Sequence, residues 1–143
     1  MPKFSKISEK RLLTCHQDIQ AICHYAILII DFSVVSGLRT AEEQFKLFKR
    51  GRTLVNGIWV VTDNRSVVTY KDGVKRKSRH QSGNAIDLIP FPSGYTDEKR
   101  IFELAGVIKS VGFLLKKYGD TTYDIAWGQD LWTWDTCHYE LRM

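Results

Sequence analysis

Residues 85–89 read Ala-Ile-Asp-Leu-Ile, an apolar run with one carboxylate at its centre, ended by Pro90 and Pro92. A short apolar run bounded in this way is a strand buried in a core. A lone carboxylate buried there costs several kcal/mol, so Asp87 requires a cationic partner. A metal ion or an arginine would serve. Any fold open to this chain must bring such a partner to the middle of a core strand.

Two segments offer the parts of a metal centre. His80 precedes Asp87 by seven residues, with Gly83 between them. If Gly83 lets the chain turn, imidazole and carboxylate can face one point from a loop and the following strand. His138 is the natural third ligand, and Asp135, three residues before it, can reach a water there without binding the metal. Catalytic zinc takes three protein ligands of N or O type and keeps one position open. A carboxylate beside that open position can take a proton from water.

Composition narrows the alternatives. A chain of 143 residues with 43% hydrophobic and 26% charged residues fits one soluble domain with a hydrophobic core. Its three cysteines, Cys15, Cys23 and Cys137, form no CxxC pair, which argues against a disulfide framework or a structural cysteine-type zinc site. The start, Met1-Pro2-Lys3-Phe4, does not read as a signal peptide. The expectation is a protein made in the cytoplasm, without membrane insertion, and monomeric. Net charge is +5, unevenly spread: Lys46 to Arg79 carries ten Lys/Arg against two Asp, and Gly119 to Met143 five Asp/Glu against one Arg. A basic face suits a polyanionic partner, nucleic acid or an anionic wall polymer, and equally a solvated surface.

Periodicity predicts an amphipathic helix over 8–27 through Leu12, Cys15, Ile19, Ile22, Cys23, Ala26 and Ile27. A strand at Phe32–Ser36 is broken by Gly37. A capping box at Thr40–Glu43 opens a helix that stops at Gly51. Residues 58–62 and 66–70, separated by Asp63-Asn64-Arg65, suggest a hairpin. A second amphipathic helix starts near Thr96 or Asp97 and ends by Gly119, and Tyr139–Leu141 is a final strand. Helices and strands mix without a βαβ rhythm, so the class is α+β, a small antiparallel sheet flanked by helices in a single domain over 1–143. The basic stretch 51–77 reads as an insertion within it.

Ser78-Arg79-His80-x-x-Gly83-x-Ala85-x-Asp87 resembles the SxHxxGxAxD signature of the zinc D-alanyl-D-alanine carboxypeptidase and dipeptidase family. That family includes phage endolysins that cut the L-alanyl-D-glutamate bond of peptidoglycan. Asp135-x-x-His138 is similar to its acidic-x-x-His motif, His138-Tyr139-Glu140-Leu141 to its closing strand, Ser36-Gly37-Leu38-Arg39-Thr40 to its SGxR segment, and Trp127-Gly128 to the start of its WGGDW-like segment. The resemblance implies the family's Hedgehog-like fold and one catalytic Zn2+ held by His80, Asp87 and His138. It also implies Asp135 as general base and Arg39 as the cation that meets the developing oxyanion. Asp135, where the dipeptidase branch has glutamate, is similar to the endolysin branch. Gln129 and Leu131 depart from the WGGDW-like pattern. Gln81 or Ser82 is a further candidate for substrate contact.

Other readings have weaker support. Cys15-His16 and Cys23-His24, on one helix, would stand roughly 12 Å apart, too far to share an ion. Cys137 as a nucleophile would need its own base. Asp120, Asp124 and Asp130 lack the spacing of an EF-hand loop. The clustered Trp127, Trp132, Trp134 and Tyr139 suit a core and one wall of a peptide cleft, or single-stranded nucleic-acid binding. The expected function is a zinc peptidase acting on peptidoglycan stem peptides, at the L-alanyl-D-glutamate bond that the resemblance and Asp135 favour, as a phage lysis enzyme released by a holin and with no nucleic-acid partner. A D-alanyl-D-alanine carboxypeptidase is the alternative within the family. A zinc-stabilised wall- or nucleic-acid-binding module is the non-enzymatic one.

Overall fold

Each of the first three helices opens on a side chain that accepts from its early amide groups. In the computed structural model, which describes residues 2–143, Ser5 caps α1 (Lys6–Leu12) by accepting from the Ser8 amide at 3.1 Å. His16 caps α2 (Gln17–Ala26), its Nδ1 accepting from the Asp18 amide at 3.0 Å. Thr40 caps α3 (Ala41–Lys49) as its capping box predicts, accepting from the Glu43 amide at 3.1 Å.

Residues 8–27 are therefore two helices and not the continuous one that apolar spacing predicts. The break lies between α1 and α2, where the His16 amide donates to the Gly83 carbonyl at 2.8 Å. Spacing does not reveal it because Leu12, Cys15, Ile19 and Ile22 all enter the same core. Cys15 and Cys23 are core thiols, and His24 pairs with Glu9 at 3.1 Å.

The chain forms two compact units: residues up to Leu38 together with Gly83–Met143, and Arg39–Ser82. In the first, β1 (Phe32–Ser36), β4 (Ala85–Pro90), β5 (Asp124–Trp127) and β6 (His138–Arg142) form an antiparallel sheet in the order β1-β4-β6-β5. Ile86 and Leu88 of β4 and Tyr139 and Leu141 of β6 share a core with α2 and with the long helix α4 (Glu98–Lys117). Asp97 caps α4, and Gly119 follows it with φ +83°, a backbone that a side chain would resist. Gly128–Trp132 forms a short helix, α5. The acidic C-terminal stretch is largely spoken for: Asp124 pairs with Lys116 at 2.7 Å and Asp130 with Lys109 at 2.8 Å.

The second unit holds α3 and a two-stranded hairpin, β2 (Arg52–Val55) with β3 (Ile58–Val61). The hairpin is shifted from its predicted position. Asn56 and Gly57, at φ 49° and 77°, form the tight turn that a two-residue hairpin loop needs. Residues 64–66 make a 3-10 turn instead, because Asp63 accepts from the Arg65 amide and the Ser66 hydroxyl. Ser66–Tyr70, though rich in β-branched residues, has no strand partner among the described residues. The α+β class with a small antiparallel sheet and flanking helices holds. No described helix is long and apolar enough to cross a membrane.

Candidate metal centre

Strand register brings two of the expected ligands together. Asp87 on β4 and His138 on β6 are direct cross-strand partners, and opposite residues of an antiparallel pair share a face. His138 Nδ1 lies 3.4 Å from Asp87 Oδ1. His80 sits in a 3-10 turn over Arg79–Ser82 and is buried. His80, Asp87 and His138 each offer one ligand atom, and those atoms all lie within 4.8 Å of one another. Two imidazole nitrogens and a carboxylate oxygen at that spacing suit a borderline-soft divalent cation of the zinc type.

Gly83 makes the turn between the first two expected ligands, with φ +75°. A side chain there would be strained, and its Cβ would stand 3.2 Å from the Thr14 carbonyl oxygen. Within 78–82 the Gln81 amide is used locally: its oxygen accepts from the Ser78 amide and its nitrogen donates to the Gly73 carbonyl, both at 2.9 Å. The Ser82 hydroxyl donates to the Arg79 carbonyl at 3.1 Å. Both side chains brace the turn.

Glu140 was not singled out from sequence, and the structure gives it a part. It is buried, its Oε1 lies 3.1 Å from His138 Nε2, and its Oε2 accepts from Arg142 at 3.0 Å. His138, Glu140 and Arg142 alternate along β6 and so line one face. A carboxylate on one imidazole nitrogen fixes the tautomer and frees the other for a metal. The signal available in sequence was the alternation His-x-Glu-x-Arg, legible only once β6 and its partner are aligned.

Electrostatics agree with that geometry. Burial alone would push the His138 imidazole down. Hydrogen bonds to Asp87 and Glu140, with the charges of Asp87 and Asp135, outweigh it and hold the group at about 9. Burial, then the Asp87 charge, pushes the Cys137 thiol up to about 11, so it stays protonated at neutral pH and is no nucleophile.

Asp135 lies half-buried in the turn between α5 and β6. The Trp127 indole nitrogen donates to the Thr136 carbonyl at 2.8 Å, tying this turn to the end of β5. Gly128 packs against it so closely that a methyl group there would collide with the Asp135 carbonyl oxygen and stand 3.1 Å from His138 Cβ. Trp132 tilts beside the His138 ring at 5.4 Å between centroids, and Trp134 is exposed.

Arg39 is bound to the segment that carries His80, since its amide donates to the His80 carbonyl at 3.0 Å. Its guanidinium donates to Gln44 Oε1 at 3.2 Å. Gln44 is buried, and its amide nitrogen donates to the Lys71 carbonyl at 2.9 Å and to Thr69 Oγ1 at 3.3 Å. Gln44 is a second residue that periodicity could not single out, because a polar side chain in α3 reads as surface.

Comparison with known proteins follows the same line. The family model for phage L-alanyl-D-glutamate peptidase matches residues 1–141. The L-alanyl-D-glutamate peptidase of Escherichia phage T5 is 30% identical over 156 residues, covering 97% of this chain and 97% of that protein. The crystal structure of the Serratia marcescens L-Ala D-Glu endopeptidase ChiX superposes with a TM-score of 0.67 at 19% identity, over 99% of this chain and 91% of that one. At that identity the likeness shows a shared fold. The match of the family model over nearly the whole length, with the T5 relative beside it, places this chain in the phage L-alanyl-D-glutamate peptidase family.

Proposed function

We propose that this chain is a zinc-dependent peptidoglycan hydrolase that cuts the L-alanyl-D-glutamate bond of the stem peptide during host cell lysis. His80, Asp87 and His138 are the residues that would hold the ion. When bound, zinc supplies a Lewis acid and makes water a competent nucleophile near neutral pH. Asp135 takes the proton from the attacking water and delivers it to the leaving amine. Arg39 carries a permanent charge for the carbonyl oxygen as it becomes an oxyanion, and Gln44 holds that guanidinium in one orientation. Glu140 keeps His138 in the tautomer that presents Nδ1.

The observation that carries this reading is the donor set of His80, Asp87 and His138 within 4.8 Å. The family match over residues 1–141 supports the scissile bond. The residues act as one peptidase domain over 1–143 with a basic insertion at 51–77. The protein works as a monomer on the wall, reached from the cytoplasm after the membrane is permeabilised.

The test is digestion of purified peptidoglycan by the zinc-loaded protein, with new termini identified by mass spectrometry. New amino-terminal D-glutamate is expected. Release of free D-alanine would assign the D-alanyl-D-alanine bond instead. Zinc binding without any cleavage would reduce the chain to a zinc-stabilised binding module.

A further inference from the structure

The hairpin of the second unit has an unusual surface. At its turn, Leu54, Val55 and Ile58 are 54%, 46% and 66% exposed, and Val60 follows at 43%. Charged side chains or prolines usually blunt such a ribbon, and β2 and β3 carry only Arg52. Alternation puts Val55, Ile58 and Val60 on one face. Trp59 lies on the other, where it meets Phe45 edge-on at 5.9 Å.

The charge around this apolar tip is of one sign. Residues Arg39–Ser82 contain eleven Lys/Arg against four Asp/Glu, a net charge of +7 in a protein whose total is +5. Three of the cations stand at the base of the hairpin. Lys49 Nζ lies 5.1 Å from the Phe45 ring centroid and 5.9 Å from that of Trp59. The Arg52 guanidinium lies 4.0 Å from the Phe48 ring centroid, and Arg50 is exposed. Arg52 is three residues from Val55 at the turn, and a strand rises roughly 3.3 Å per residue, so the base of the hairpin, which Lys49 and Arg50 adjoin, lies about 10 Å behind the apolar tip. That separation matches the depth at which interfacial segments seat their apolar part, about 5–10 Å into the headgroup boundary. Cations at that height meet anionic headgroups.

We propose that the β2–β3 hairpin is a membrane-docking element whose aliphatic tip seats in an anionic phospholipid bilayer while Lys49 and Arg50 contact the headgroups and Arg52, donating to the Phe48 and Thr69 carbonyls, braces the base of the hairpin. The seat is shallow and does not span the bilayer. An anionic wall polymer would account for the charge but not for four aliphatic side chains held out at a turn. A bilayer accounts for both. The hairpin contains none of the metal-site residues, so this inference stands apart from the reading of the metal centre.

The test is co-sedimentation of the full chain with vesicles of phosphatidylglycerol mixed equally with phosphatidylcholine, against vesicles of phosphatidylcholine alone. Binding to the anionic vesicles, weakening with added salt and accompanied by a blue shift of tryptophan emission, is expected. The double variant Val55→Asp, Ile58→Asp should lose at least about tenfold in vesicle affinity while keeping its circular dichroism spectrum and zinc binding. A second variant, Arg50→Gln, should weaken binding to the anionic vesicles with the tip intact. No vesicle binding, or binding unchanged in the double variant, overturns the proposal. So does a shift from dimer to monomer in the double variant, which would make the tip a self-association surface. Binding to purified wall but not to vesicles overturns it as well.

Discussion

If His138 holds a metal ion as proposed, that ion competes there with a proton, and the competition can be measured. In the metal-free protein the imidazole is held at about 9 against an ordinary 6.5 by Asp87 and Glu140. A metal ion that takes Nδ1 must displace a proton held with that affinity. Below about 9 the apparent affinity should therefore fall about tenfold for each pH unit, or about 1.4 kcal/mol. Between about pH 9 and 7 the loss is roughly fiftyfold, because half the sites already hold the proton at pH 9. An unperturbed histidine would lose almost nothing over that range. The assay is zinc competition against a chromophoric chelator whose own pH dependence is known. Glu140→Gln removes one of the groups that hold the proton, so its affinity curve should level off at lower pH. Wild-type affinity that is flat from about pH 7 to 9 would refute the argument, because His138 would then titrate as an ordinary histidine. The same group affects folding of the metal-free chain. Its folded value lies above its unfolded one, so its stabilising contribution is complete below about pH 6.5 and is lost as pH rises through about 9. The Tm of the chelator-treated protein should fall across that window.

Two substitutions separate the other roles. Asp135→Ala should keep zinc affinity near wild type and lower kcat by about 10²–10⁴-fold, the usual contribution of a general base. Full activity in that variant would remove Asp135 from the reaction. Gln44→Leu leaves the Lys71 carbonyl without its Gln44 donor and removes the Gln44 bond that helps to orient the Arg39 guanidinium, and should cost about 1–3 kcal/mol of stability in thermal melts. If Arg39 acts as proposed, kcat falls in the same variant at temperatures where it is fully folded. A stability loss with unchanged kcat would confine Gln44 to structure.

Features written in single residues were legible in the sequence. Gly37 and Gly51 stop elements where they were expected to, Thr40 caps α3, and Pro90 ends β4. Asp87 in an apolar run announced its need for a partner before any register was known. What required the structure depends on pairing. The break before His16 is made by a bond to Gly83, far along the chain, and no local pattern encodes it. Ser66–Tyr70 looks more strand-like than Arg52–Val55, yet the Asn56-Gly57 turn settles the pairing. β5 was missed because Asp124-Ile-Ala-Trp does not alternate and sits in an acidic stretch. Glu140 and Gln44 were invisible as site residues because each acts through another side chain.

The alternation of β6 has a consequence for evolution as well as for chemistry. Tyr139 and Leu141 fill the core from one side of the strand, while His138 and Glu140 equip the other. A one-residue slip against β4 would send the imidazole into the hydrocarbon interior and swing Tyr139 out toward solvent. Insertions or deletions between Trp132 and His138 therefore cannot be absorbed by sliding the strand. Length variation among relatives should avoid that turn and collect elsewhere, since the ruler that measures out the core also measures out the proposed ligands.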